Sequence, residues 1–298
     1  MTIRIAIAPG HASSMNDVVK RLEHYLRSHN QRKSIMALAY DAGFDLEHAL
    51  AECGKTEPLA NRFAQPLQFL LGYAAWTSSR DDESIIDGVA GHSLGEFLAV
   101  AIVKSVSWPD SLRLVLRCGA AMDAVHRIRP GAMSALLGFN MAETSKLCTD
   151  TLDTVPGALE IANVNLIDQI VVSGDLHCVE ELERRAQTRE GKRIVRLSIA
   201  GAAHSSIYAD RDPMRAVLKN VSIVSPQIPL YLSTKSQRIS NAKDVSSALA
   251  EVLANRVDWV RTLELLDAEQ PGFSPELIFP DRSMASILKR AGYWSRMN

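Results

Sequence analysis

Apolar positions along this chain fall into two rhythms. Short runs rich in Ile, Val, Leu and Ala, at residues 1–8, 85–90, 132–137, 158–163, 169–173, 193–199 and 229–233, predict strands. Longer segments repeat their apolar residues every three or four positions, which predicts helices over 15–28, 31–52, 60–79, 94–104, 142–152, 176–188 and 245–255. Another helix starts at Ser107-Trp108-Pro109-Asp110, with Ser107 as its cap and Pro109 in its first turn. It places Leu112, Val115, Leu116, Gly119 and Met122 on one face and ends between Arg127 and Gly131, around Pro130. Strands alternating with helices predict an α/β fold built on a mainly parallel sheet. Residues 131–199 follow a separate order, strand–helix–strand–strand–helix–strand, which is the ferredoxin-like pattern. The expected organisation is therefore a large α/β domain from residues 1–130 and 200–298, interrupted by a small ferredoxin-like subdomain at 131–199.

The junction between the strand ending near Ala90 and the helix after it carries the first sign of chemistry. It reads Gly91-His92-Ser93-Leu94-Gly95-Glu96, a G-x-S-x-G at a strand-to-helix turn. Such a turn is tight, so glycines flank the serine, whose hydroxyl stands exposed beside the first N–H groups of the new helix. Ser93 is thereby a candidate nucleophile. Glu96 falls in the first turn, where an acidic side chain opposes the helix dipole, and is expected to be structural.

Composition narrows the classes of function. With 298 residues, 47% hydrophobic and 22% charged, the chain has the make-up of a soluble globular protein. A formal net charge of -1 gives no general attraction to nucleic acid or to anionic membranes. No apolar run is long enough for a membrane span, and Arg4 interrupts the first strand, so a signal peptide is not expected. The four cysteines (Cys53, Cys118, Cys148, Cys178) show no C-x-x-C spacing and fit reduced thiols of a cytoplasmic protein. The eight histidines form no H-x-H or H-x-x-x-H pair, so neither a metal nor another cofactor is expected.

Several segments occur together in one order: Pro9-Gly10 after the first strand, Gln65-Pro66, the GHSLGE elbow and the stretch from Asn163 to Asp175. Ala203-His204-Ser205 and Asn255-Arg256-Val257-Asp258-Trp259 follow. This arrangement resembles the malonyl-CoA:acyl-carrier-protein transacylases and the related acyltransferase domains of polyketide synthases, over essentially the whole chain. The resemblance implies a hydrolase-like α/β domain with a ferredoxin-like insertion. It also implies a ping-pong reaction in which Ser93 takes an acyl group from one thioester and passes it to a second thiol. His204 matches the family's catalytic base. The backbone N–H groups of His11 and Leu94 match its oxyanion hole, although His11 stands where the family usually has glutamine. Gln65, His92, Cys118, Asn163, Gly201 and Ala203 are expected around the substrate pocket, His92 as a positioning residue. Acyl carrier protein, or acyl-CoA, is the implied partner.

Two departures bear on the substrate. Malonyl-transferring members carry an arginine within R-L-V-x-x-R-G-x-x-M, able to clamp a carboxylate through two hydrogen bonds. Here that position is Cys118, between Leu114-Val115 and Gly119 with Met122. Arg117 is adjacent, but one residue along a helix turns the side chain by about 100°. Small residues, Gly201-Ala202-Ala203, precede His204 and leave room for a larger acyl group; the family's G-P-G turn near the C-terminus is Phe279-Pro280-Asp281. A neutral acyl group moved between carrier thioesters is therefore the expected reaction. Hydrolysis of stalled acyl groups by the same dyad is the nearest alternative, ahead of malonyl transfer or a non-catalytic scaffold. Arg184, Arg185, Arg189, Lys192 and Arg193 form the densest basic cluster and are a candidate docking surface for an acidic carrier.

Overall fold

The computed structural model describes residues 2–11, 14–79, 86–187, 191–209 and 214–293. Met1, Ala12, Ser13, Ile85, Thr188 and Arg189, on which some sequence expectations fall, lie outside them. Among the described residues ten strands are defined: β1 (Arg4–Ala8), β2 (Gly88–Gly91), β3 (Gly131–Leu137), β4 (Leu159–Leu166) and β5 (Gln169–Asp175), then β6 (Arg193–Arg196), β7 (Leu230–Leu232), β8 (Gln237–Ile239), β9 (Val257–Asp258) and β10 (Ser274–Leu277). They form two sheets. One has the order β10-β1-β2-β7-β8, parallel except for the β7–β8 hairpin edge. Its three inner strands are buried on both faces, which explains why the stretch after Arg4, Ile5-Ala6-Ile7-Ala8, is apolar at every position instead of alternating.

The second sheet has the order β6-β3-β5-β4-β9. Its first four strands are antiparallel neighbours with β3 and β5 central, the arrangement the ferredoxin-like order predicts. The fifth, β9, arrives from late in the sequence and pairs parallel to β4, Asn163 opposite Val257 and Val164 opposite Asp258. That link ties the inserted unit to the segment following the helix Ala242–Ala250. Helices Met141–Leu152 and Leu176–Ala186 cover one face of this sheet and bury Leu136, Val172, Val179 and Leu182. Among the described residues no helix is long and apolar enough to cross a membrane.

Three boundaries differ from the sequence reading. The segment expected as one helix over 31–52 is two, His29–Ala42 and Leu46–Glu52. Gly43, at φ 76°, ends the first, and Asp45 caps the second by accepting from the His48 N–H at 2.9 Å. The strand expected over 158–163 continues to Leu166, with register shifts that carry it past Asn163 and Asn165. The helix expected over 245–255 runs from Ala242 to Ala250 instead, capped by Asn241. Its early end leaves the carbonyls of Leu253 and Asn255 without helical partners, and both are used elsewhere.

Candidate active site

The elbow is built by close backbone approach. A Cβ on Gly91 would lie 2.7 Å from the Glu96 Cα, and one on Gly95 would run into the Ala8 carbonyl oxygen. With those contacts fixed, Ser93 is forced to φ 52°, a left-handed conformation that a non-glycine residue adopts under strain. The helix Gly95–Ile102 is buried on every side, so the turn is held against β1 and β2 with no freedom to relax. The Ser93 N–H donates to Ser233 Oγ at 3.2 Å, and Ser233 Oγ donates to Glu96 Oε1 at 2.9 Å. Thr234 adds its N–H at 2.7 Å and its hydroxyl at 2.8 Å to the same carboxyl. Burial pushes Glu96 up to about 7, opposed by these hydrogen bonds from Thr234 and Ser233. Its function is therefore larger than opposing a dipole: it ties the elbow to the end of β7.

Ser93 Oγ lies 2.7 Å from His204 Nε2. On the far side of the ring, Nδ1 is 2.9 Å from the Asn255 carbonyl oxygen. A carbonyl only accepts, so Nδ1 carries the proton and Nε2 offers its lone pair to the serine hydroxyl. The His204 backbone, at φ 60°, is fixed by its N–H donating to the Leu253 carbonyl at 2.7 Å. Burial lowers the His204 pKa to about 4, partly offset by the Asn255 carbonyl and reinforced by the nearby His92. The imidazole is thus neutral at pH 7, the state a general base requires.

A cavity of about 290 Å3 opens beside this pair. Gln65, His92, Asn163, Cys118 and Ala203 line it, as do His11 and Leu94. Gly201 does not. It lies behind the wall at φ 113°, facing the Tyr208 hydroxyl and Met122, so its contribution is to the turn leading to Ala203 and not to the pocket surface. His92 turns away from Ser93: Nε2 meets Asn165 Oδ1 at 2.9 Å and the ring packs edge-on against Trp259, centroids 5.3 Å apart. Sequence reasoning missed Asn165, Ser233, Thr234 and the Asn255 carbonyl. Asn165 had one available signal, its place two residues beyond Asn163 on the same strand face. Asn255 opened the Asn255–Trp259 segment, but that its carbonyl would meet His204, and that Ser233 and Thr234 would meet Glu96, depends on contacts between segments distant in the chain.

The electrostatics of the cavity are unusual for a site facing an anion. Among the described residues no lysine or arginine lines it. Burial lowers His11 to about 4 and also lowers His92, so with His204 all three lining histidines are neutral at pH 7. Cys118 is buried and its thiol is pushed up to about 12 by desolvation, which makes it a neutral wall residue. Arg117 is exposed on the other side of the helix Trp108–Ile128. The basic cluster suggested for docking is largely engaged within the chain. Arg184 and Arg185 share Glu181 at 2.8 and 2.7 Å, and Lys192 pairs with Glu143.

Comparison with known proteins places this arrangement in a family. Residues 29–269 match the acyl transferase domain. The chain is 25% identical over 203 residues to the malonyl CoA-acyl carrier protein transacylase of Buchnera aphidicola subsp. Schizaphis graminum, 68% of this chain and 64% of that one. It is 29% identical over 229 residues to the polyketide biosynthesis protein ThaF of Burkholderia thailandensis, covering 76% of this chain and 19% of that protein. The match thus spans less than two thirds of either relative. In fold it is similar to the malonyl-CoA:acyl carrier protein transacylase of Xanthomonas oryzae pv. oryzae, with a TM-score of 0.87, 23% identity and coverage of 100% of this chain and 93% of that one. The chain belongs to the acyl transferase domain family, within the group that contains malonyl-CoA:acyl-carrier-protein transacylases and polyketide acyltransferases.

Proposed function

We propose that this protein moves a neutral acyl group between thioesters of acyl carrier protein, or from acyl-CoA, through an ester on Ser93. The observation that carries the reading is the 2.7 Å contact between Ser93 Oγ and the neutral His204 Nε2 at the edge of a cavity. In the first half-reaction Ser93 Oγ attacks the thioester carbonyl carbon and its proton passes to His204 Nε2. The C–S bond then breaks, and His204 returns the proton to the departing thiolate, leaving the acyl-serine ester and a free thiol. The second half-reaction is the reverse, with an acceptor thiol attacking the ester. The N–H groups of Leu94 and His11 are assigned to the developing oxyanion, and the Asn255 carbonyl stabilises the imidazolium in place of a carboxylate. Residues 1–130 and 200–298 then supply the chemistry, and 131–199 supplies one wall of the cavity.

Specificity for an uncharged acyl group is supported by the absence of lysine and arginine from the described lining residues and by the neutral Cys118 thiol. A carboxylate desolvated there without a cation is strongly disfavoured. Intact-protein mass spectrometry tests the reading, with carrier proteins loaded with acetyl, longer neutral acyl or malonyl groups, each with and without an empty acceptor. The expected result is a neutral acyl adduct on Ser93 that persists until acceptor is added. Efficient malonyl loading overturns the assignment. Rapid release of acid without acceptor assigns the same dyad to hydrolysis.

A further inference from the structure

One wall of the cavity has no part in the chemistry of the dyad. It is the inner face of the small sheet, where Ala135 on β3 lies opposite Val171 on β5 and opposite Val195 on β6. All three line the cavity. On one side of this row stand Met133 and Leu197, joined by the Leu197 N–H donating to the Met133 carbonyl at 2.9 Å; on the other side stands Leu137. The intervening residues of the same strands, Ala132, Leu136 and Val172, point the opposite way into the core beneath the helices. On β3 the middle row holds the smallest side chain, Ala135 between Met133 and Leu137, and Val195 of β6 is followed by the larger Leu197; on β5 Val171 stands between Gln169, which also lines the cavity, and the buried Ser173. That size pattern makes a trough crossing β6, β3 and β5, about 10 Å from edge to edge at the usual spacing of strands. Leu137, Val195 and Leu197 remain partly exposed within it, so this apolar surface has not been covered by the protein itself.

Resting on the acyl-serine chemistry proposed above, we infer that this trough holds the acyl chain of the substrate, and that the chain is an aliphatic one of medium length. An acetyl group is too short to cross three strands. A negatively charged chain would lose its hydration against valine, leucine and methionine without meeting a lysine or arginine among the described lining residues. Ala135 is the specificity-determining position, because it sets the depth of the trough.

The test measures formation of the Ser93 ester from acetyl, butyryl and octanoyl pantetheine thioesters, which removes carrier recognition from the comparison. The full-length enzyme is expected to load octanoyl at least about tenfold more efficiently than acetyl, since each methylene buried contributes a severalfold gain. Ala135→Phe fills the trough and is expected to lower the octanoyl-to-acetyl ratio by about tenfold or more. Val171→Ala enlarges it and is expected to shift the optimum toward longer chains, which serves equally if phenylalanine is not tolerated. Equal loading of acetyl and octanoyl by the unaltered enzyme overturns the inference while leaving the acyl-serine reaction intact. So does a fall in both by the same factor in Ala135→Phe with Val171→Ala unchanged in its preference, which would assign the trough to the pantetheine arm. Failure of every neutral thioester to modify Ser93 overturns the proposed function itself.

Discussion

The strand-to-helix elbow and the inner face of the small sheet border the same cavity and are built in opposite ways. At the elbow, backbone contacts fix the residues: Gly95 against the Ala8 carbonyl, Gly91 against Glu96, and Ser93 at φ 52° between them. A chain of hydrogen bonds runs there from the Ser93 N–H through Ser233 to Glu96. On the sheet face the backbone is an ordinary antiparallel ladder, and only side-chain volume distinguishes one row from the next. A nucleophile must be placed to within a fraction of an ångström, which backbone packing can do. A pocket for an alkyl chain needs only shape and apolarity, which a swap of one alanine or valine retunes. Under the proposed reaction, then, the chemistry resides where substitution is least tolerated and specificity where it is most tolerated.

That contrast can be broken or sharpened by experiment. The largest effects belong to the dyad: Ser93→Ala is expected to abolish the acyl adduct, and His204→Ala to slow its formation by about 10³–10⁴-fold, with circular dichroism unchanged. Residual adduct on another residue in Ser93→Ala would remove the elbow from its place in the chemistry. Next comes Gly95→Ala, where a single methyl against the Ala8 carbonyl should lower stability by about 3 kcal/mol, read from urea unfolding. The matching change on the sheet, Val171→Ala, should cost less and leave the elbow working. Cys118→Arg follows, placing a guanidinium at the cavity wall. The ratio of malonyl to neutral acyl loading is expected to rise about tenfold or more, at some cost in stability from the buried charge. An unchanged ratio would show that position 118 does not see the acyl group.

The smallest effects are in pH. Because burial holds His204 near 4, acyl loading should be level from about pH 5.5 to 8 and fall only as pH approaches 4, with no inflection at 6.5. The same groups act on stability in two directions. His204 and His11 have folded pKa values below their unfolded value of 6.5, so their contribution weakens as pH falls from 6.5 toward 4. Glu96 is raised from 4.5 to about 7, so its contribution weakens as pH rises through that interval. Glu96→Gln should remove the second trend and leave the first, as followed by thermal melting across pH 4–8. An activity profile centred on 6.5 would mean that water reaches His204.

Much of this was legible before any coordinates. The elbow could be recognised because G-x-S-x-G is local, as are the Ser107 cap with Pro109 and the short apolar runs of the small sheet. The strand order β6-β3-β5-β4 followed from the order of elements in residues 131–199. Gly43 and Asp45 were present as signals for breaking the helix expected over 31–52 and were outweighed by the apolar period on either side. The early end of the helix Ala242–Ala250 was not legible, because nothing within it forbids another turn; the carbonyls it releases are claimed by His204, about fifty positions away in the chain. Gly201 was read as pocket surface because it neighbours Ala203. Its left-handed backbone turns it toward Tyr208 instead.

The sequence by itself determined the class of fold and the glycine-flanked turn that presents Ser93, and its resemblance to the family marked Cys118 as the position where malonyl-transferring members carry an arginine. Each depends on residues adjacent along the chain or on one helical face. Only the tertiary structure decided that Asn255 would orient His204, that Ser233 and Glu96 would hold the elbow, and that Val195, Ala135 and Val171 would meet in one row. Those relations join segments brought together by sheet pairing and core burial, and hydrogen bonds and packing act through space at a few ångströms whatever the separation in sequence.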